Sequence, residues 1–503
     1  MHKELDHVGH GIFEKTRLSK TGFGQHQTKL DSPTYRSSMR LSRASVPRFD
    51  MRSLSLALLG GALSAIALPA TPGECQPSLS LSFAYQPTVV EGLSARVIYK
   101  NLTTPRGVRF DQDVNLLVVE RGKGIIALTE RDDATCGGWE KRTVITQSDL
   151  EHGIEVGPIP GNKDKQYLYA SSKEKVYRWE YNPKNAAIIG NPTIIAFNMS
   201  NSDHVTRTLL LQPGEDGQSE YLIVSRGSAS NFDESSADVN AGPAQIRRFP
   251  LTKSDRPTEG YSWNQGTVLA WGVRNGVGIA LSKDGKDLWE IENSSDNLRW
   301  RGVNIHTDNP SEELNRISLR DPENIPIESK FYGYPSCYTA WNSSSVPRNE
   351  SQPVFDLPTG AQFSRRPVGT QPDDAWCQNP NNNKPPRLSF QAHSAPLDLV
   401  FYDNSKCVPR DNNVGISRKW DGDAFTSFRG SWNRRPPTGY SVVRIPWEGD
   451  APRAPANSVN GYEHIVYAPD LTKCPSQCIR PVGLAFGEKG QLYVSSDETG
   501  EVF

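Results

Sequence analysis

Residues 107–128 read GVRFDQDVNLLVVERGKGIIAL, and residues 482–503 read VGLAFGEKGQLYVSSDETGEVF. In each, an apolar run meets a polar turn (DQDVN or GEKG), then a second apolar run, then a glycine-bearing turn (RGKG or DETG) and a third run. Alternating strands bounded by Asp, Asn and Gly are what antiparallel hairpins require. The same order of glycine or proline, strand, polar turn and strand recurs at 167–181, 208–226, 277–292 and 396–445, making six imperfect copies. Convincing helical runs are few. A strand pair cannot bury both its faces alone, so radial repetition is predicted: an all-β, six-bladed β-propeller with mostly four-stranded antiparallel blades.

The intervals between copies are unequal, so long insertions are expected on the propeller faces. The largest, 342–387, is rich in Pro, Asn, Ser and Gln and has no period. Two readings of it stand open: a wall at the mouth of a site, or a solvent-exposed decoration.

The chain has 503 residues and a formal net charge of -1, a length that one large propeller accommodates. No basic run follows the first fifty residues, which argues against a general nucleic-acid surface and for a small partner. Residues 1–50 are polar, with scattered Lys, Arg and Ser, and cannot bury enough surface to order themselves. At Met51 the character changes: Arg52, an apolar run from Leu54 to Leu68, then ALPAT. That is the anatomy of a secretory signal with a cleavage point near Ala70. The run is short for a membrane span, and proline follows it. The expected organisation is a non-native, disordered upstream extension over 1–50, a signal peptide over 51–70, and one propeller domain over 71–503. The mature protein is expected outside the cell, free of the membrane once the signal is removed.

Secretion agrees with sequons at Asn101, Asn198, Asn342 and Asn349. Seven cysteines leave at least one thiol unpaired. Cys474 and Cys478 are spaced to close a small loop, and Cys75–Cys136 and Cys337–Cys377 are the other expected pairs. A zinc site at Cys474-x-x-x-Cys478 competes with the loop, but no histidine or second cysteine pair lies near to complete four ligands.

The stretch 271–296, WGVRNGVGIALSKDGKDLWEIENSSD, is followed by EELN (312–315) and FYGYP (331–335). Its R-N pair offers one bidentate cation and one amide at a strand edge, suited to a ligand with several carboxylates. The polar turn ENSSD offers free backbone carbonyls, suited to a hard cation such as Ca²⁺. With DHVTRTL (203–209), AHSAPLDLVFY (392–402), FRGSWNRRPPTGY (428–440) and IRPVGLAF (479–486), this order resembles the glucose/sorbosone dehydrogenase superfamily. These are quinoproteins that use pyrroloquinoline quinone (PQQ), and the chain is most similar to the fungal pyranose dehydrogenase branch. The resemblance runs from about residue 94 to the C-terminus.

The resemblance implies a PQQ- and Ca²⁺-dependent dehydrogenase that oxidises a pyranose or related aldose or ketose. An external electron acceptor, a cytochrome or a copper oxygenase, is the expected partner. The chain stops at Glu501-Val502-Phe503, inside the expected last strand, with no cytochrome domain or cellulose-binding module after it, modules that some members of the branch carry. PQQ is a tricarboxylate with an ortho-quinone, so its site needs cations and flat neighbours. By position in the family order, Arg274, Asn275, Asn293, His393, Arg429 and Arg480 are expected PQQ contacts, Asn293 beside the metal turn. Cys478 stands where the bacterial pattern has a further arginine, so one cation is missing. Arg106, Trp432 and Asn433 are additional candidates for the same cavity. Ser294 and Ser295 match the two backbone-carbonyl ligands for Ca²⁺. His204 matches the catalytic histidine and would take the proton of a sugar hydroxyl, with Asp203 ionised nearby and Arg207 supporting the loop. A single such arginine is more often a structural ion pair, and a lone loop histidine more often exposed or structural. The weight therefore rests on the set.

Two other functions are compatible with a six-bladed propeller. A calcium-dependent lactonase would hold its metal with side-chain carboxylates and amides in the channel, where this chain offers backbone carbonyls and arginines. A binding scaffold that has lost catalysis would not need His204 beside that set.

Overall fold

The computed structural model describes residues 73–503 apart from 78–80, 134–135, 253–255 and 410–413. The expected upstream extension, signal segment and cleavage point lie outside the described residues. Among the described residues no helix is long and apolar enough to cross a membrane.

Six sheets form the blades of a propeller, antiparallel except for the short edge strand Tyr261–Ser262, which pairs parallel in blade 2. Their innermost strands are Pro105–Phe110, Leu150–Ile159, Leu209–Pro213, Gly276–Leu281, Pro396–Phe401 and Pro481–Phe486. Each contacts the next, and the sixth returns to the first, closing a ring. Blades 1 to 5 have four strands in simple up-and-down order, and blades 1, 2 and 5 each gain a short strand at the outer edge. Blade 6 contributes Pro481–Phe486, Leu492–Ser496 and Glu501–Val502. The segment ahead of blade 1 completes it: the Ile98 and Tyr99 N–H groups donate to the Val502 carbonyl, and the Val502 N–H to the Tyr99 carbonyl. The predicted all-β six-bladed propeller is the observed fold.

The core is six wedges, one between each pair of neighbouring blades. Leu117, Ile154 and Trp179 belong to the wedge of blades 1 and 2, and Leu399, Trp289 and Phe390 to that of blades 4 and 5. Val108, Tyr493 and Val502 seal blade 6 to blade 1. Period-2 alternation explains this arrangement, because both faces of each blade pack against a neighbour. Near the axis the backbones approach so closely that side chains are excluded. A Cβ on Gly107 would lie 2.3 Å from the His152 carbonyl oxygen, and one on Gly483 would lie 2.4 Å from that of Arg106.

The excursion between the third strand of blade 4, Glu312–Ser318, and its fourth, Leu388–Phe390, is a packed structure. Strands Cys337–Thr339 and Gln362–Ser364 pair, and Phe355, Phe363 and Val346 bury against Leu298, Trp300 and Tyr338. This packing does not decide between the two readings, and among the described residues none of 342–387 lines the cavity at the channel mouth. Disulfides join Cys75–Cys136, Cys337–Cys377 and Cys474–Cys478 as expected, and Cys407 is the free cysteine.

Candidate functional site at the channel mouth

The chemistry-bearing residues gather because of blade topology. Arg106, Arg274 with Asn275, His393 and Arg480 lie at or just ahead of the start of an innermost strand, and His204 lies in the loop leading to another. Asn293, Arg429 and Asp497 each follow a second strand, which runs back to that same end. All of them therefore ring one mouth of the central channel.

A cavity of about 570 Å³ opens there, lined by Asp203, His204, Asn231, Arg274, Asn275, Asn293, Ser294, Asp296, Glu312, His393, Trp432 and Asn433 among others. His204 Nδ1 is 2.9 Å from the Ser228 carbonyl oxygen. A carbonyl only accepts, so the proton sits on Nδ1 and Nε2 keeps a free lone pair. Burial first, and then the charge of Arg274, push the His204 imidazole down to about 4. The loop is held from behind by Arg207, fully buried, whose guanidinium donates to the carbonyls of Met199, His204 and Thr206.

Arg274 is 3% exposed. It donates to the carbonyls of Asn293 at 3.0 Å and Ser294 at 2.6 Å, and to Asn231 Oδ1 at 2.8 Å. Its carboxylate neighbour, Asp296, is 3.9 Å away. One carbonyl expected for calcium, that of Ser294, is thus turned toward a guanidinium. Glu312 braces the same turn by accepting the Ser294 N–H at 2.6 Å, and burial pushes its carboxyl up to about 7. The Ser295 hydroxyl is buried against Tyr338. His393 Nδ1 lies 3.4 Å from Asp296. Burial alone would lower its pKa, but the Asp296 hydrogen bond and the Glu312 charge raise it overall.

Arg106, Arg429 and Arg480 do not line this cavity and form a second cluster. Arg106 Nη1 and Arg429 Nε both reach Asp497 Oδ2 at 2.8 Å, while Arg480 donates to the carbonyls of Arg429 and Gly430. Trp432, at 65% exposed, stands at the rim. Among the described residues, Arg106 Nε, Asn275 Oδ1, Asn433 Oδ1 and Asp497 Oδ1 are buried without a hydrogen-bond partner.

Sequence reasoning missed Ser228, Asn231, Asp296, Glu312 and Asp497. Asp296 and Glu312 lie inside ENSSD and EELN, and Asp497 inside the DETG turn. A polar residue within a motif that already carries the chemistry was the available signal.

The TrAA12-like family matches residues 87–503. The chain is 34% identical over 426 residues to the pyrroloquinoline quinone-dependent sugar dehydrogenase of Hypocrea jecorina, covering 83% of this chain and 88% of that enzyme. It is 35% identical over 448 residues to the pyrroloquinoline quinone-dependent pyranose dehydrogenase of Coprinopsis cinerea, covering 86% of this chain but spanning only 55% of that enzyme's length. The calcium structure of Trichoderma reesei carbohydrate-active enzymes family AA12 aligns with a TM-score of 0.72 at 33% identity, over 85% of this chain and 98% of that one. With its six blades and its arginine-ringed mouth, the chain belongs to the TrAA12-like family.

Proposed function

We propose that this chain is a secreted PQQ- and Ca²⁺-dependent dehydrogenase that oxidises a pyranose and passes the electrons to an external acceptor. The observation that carries the reading is His204. Its proton is held on Nδ1 by Ser228 and its bare Nε2 belongs to the cavity that Arg274, Asn275 and His393 line.

The residues at the mouth fit a polyanionic cofactor. Arg274 is a buried cation whose nearest carboxylate stands 3.9 Å away, and such a charge favours an anionic ligand. Arg106 Nε and Asn275 Oδ1 are buried polar atoms lacking partners, and a polar ligand would satisfy them. Arg274, Asn275, Asn293 and His393 would hold PQQ in the cavity they line, with Arg106, Arg429 and Arg480 of the second cluster as further cations at the same mouth. Ser294 and Ser295 would hold Ca²⁺ through their backbone carbonyls, and the Ser294 carbonyl, which accepts from Arg274, would have to turn to the metal. When bound, PQQ supplies a quinone that accepts hydride and Ca²⁺ supplies Lewis acidity at its carbonyl. His204, neutral at ordinary pH, takes the sugar hydroxyl proton on Nε2. Trp432 offers a flat, amphipathic rim for the sugar ring, and Asp203 and Asn231 offer hydroxyl partners. The apolar run after Met51, the sequons and three disulfides support secretion.

An absorbance titration of the purified protein with PQQ, with and without Ca²⁺, tests the reading, followed by a sugar panel with a dye acceptor. Saturable, Ca²⁺-dependent binding and dye reduction by a pyranose are expected. No spectral change at saturating PQQ would overturn it.

A further inference from the structure

A second pocket, of about 480 Å³, lies beside the excursion and is lined by Trp271, Phe331, Trp376, Gln371, Asn381 and Asn382 among others. Three aromatic rings form its floor. Trp271 and Phe331 have ring centroids 4.4 Å apart, and Phe331 and Trp376 are 6.1 Å apart. The floor is fixed in place. The Trp271 indole N–H donates to the Ile327 carbonyl at 2.8 Å. Phe331 presses on Gly272 so closely that a Cβ there would meet its ring at 2.5 Å. Trp376 sits on the short helix Asp374–Gln378, which Cys377 ties to Cys337.

Trp376 is half-buried, and among the described residues no acceptor meets its indole N–H. The amides of Gln371, Asn381 and Asn382 stand around the aromatic floor, and Glu328 is the one charged residue in the lining. A floor of aromatic faces binds flat C–H surface, while amides both donate and accept, as sugar hydroxyls do. A small anion would find no cation in this lining, while the Gln371 and Asn382 amides, bonded to Asp373 and to the Trp376 carbonyl, and the Asn381 amide keep further donor and acceptor capacity for hydroxyls. Trp271 ends the outer strand of blade 3, three residues ahead of Arg274, so the pocket opens on the same face as the channel mouth.

We infer that this pocket is a second carbohydrate site, which holds a pyranose ring of a saccharide chain outside the channel mouth. The aromatic floor takes the C–H face of the ring, and the amide rim takes its hydroxyls. The site needs no cofactor, so it stands or falls separately from the dehydrogenase reading.

The test is electrophoresis of the full-length, PQQ- and Ca²⁺-loaded protein in native gels cast with hydroxyethylcellulose, xylan or laminarin, without an electron acceptor. The protein is expected to be retarded in at least one gel. Trp376→Ala should weaken that binding about tenfold or more, the loss of one stacking platform, and Trp376→Phe should retain most of it. Both variants should keep the unfolding midpoint and the turnover of a monosaccharide. Equal mobility of the unaltered protein in every gel would overturn the proposal. So would full retardation of Trp376→Ala, or retardation that only Trp432→Ala removes, which would locate the saccharide at the channel mouth.

Discussion

The two sides of the channel mouth hold their cations differently. On the side of blades 3 and 4, Arg274 gives its hydrogen bonds to neutral oxygens, with Asp296 3.9 Å away. On the side of blades 5, 6 and 1, Arg106 and Arg429 converge on one oxygen of Asp497, each at 2.8 Å. A buried cation without a close counter-ion is costly, and an anionic ligand relieves that cost on binding. Arg274 is therefore the side that attracts. The Asp497 side stays net positive, but its two arginines share a carboxylate that already offsets part of their charge.

The largest effect that divides the sides is chemical. His204→Ala should lower kcat and kcat/KM together, on the order of 10²–10⁴-fold, while leaving the PQQ titration nearly unchanged. Steady-state kinetics with a good sugar and a dye acceptor would measure it. Unaltered turnover would move the base to Asp203 or His393.

The cations come next. Arg274→Ala should weaken PQQ binding by about 1.5–3 kcal/mol, the range for a lost charged hydrogen bond. Arg429→Ala should fall at the lower end, because Asp497 already takes part of its charge. Equal losses in paired titrations would erase the contrast.

Asp497→Asn sharpens it from the other direction. It leaves Arg106 and Arg429 without their shared anion, so the cofactor-free protein should lose about 1–3 kcal/mol of stability. Saturating PQQ should then raise the unfolding midpoint by more than it does in the unaltered protein. Paired thermal melts, with and without PQQ, read both changes.

The smallest effect is in pH. Only neutral imidazole accepts a proton, and burial with the Arg274 charge pushes His204 down to about 4. The acid limb of kcat/KM should therefore fall as pH drops through about 4, well below the ordinary histidine range. In Arg274→Ala a repelling cation is gone, so the limb should move to higher pH. A profile that rises near 6.5 in the unaltered protein would mean that the site holds His204 less buried or less repelled.

The blades were legible because both faces of their inner strands are buried, which writes alternating apolar residues between glycine and aspartate turns. Outer strands carry less of that signal. Ala187–Phe197 in blade 2 is largely exposed, and nothing in its sequence marked it. The excursion had no period to read, since Val346, Phe355 and Phe363 reach their small core from irregular backbone. At the site, arginines and a histidine stood out as residue types that act directly on a ligand. Asp497 and Asn231 act by holding other side chains and Glu312 by accepting the Ser294 N–H, and beyond the motifs they sit in, such roles leave no pattern of their own.

The closing seam of the propeller has a consequence for biosynthesis. Val502 bonds to Ile98 and Tyr99 and Asp497 grips Arg106, so the ring is sealed where the second cation cluster forms. A chain emerges from the ribosome N-terminus first, and no nascent chain lacking 480–503 can assemble that cluster. Arg106 is made early, and its partner Asp497 follows 391 residues later. A ligand that needs both arginines of this cluster is therefore held only once the ring has closed.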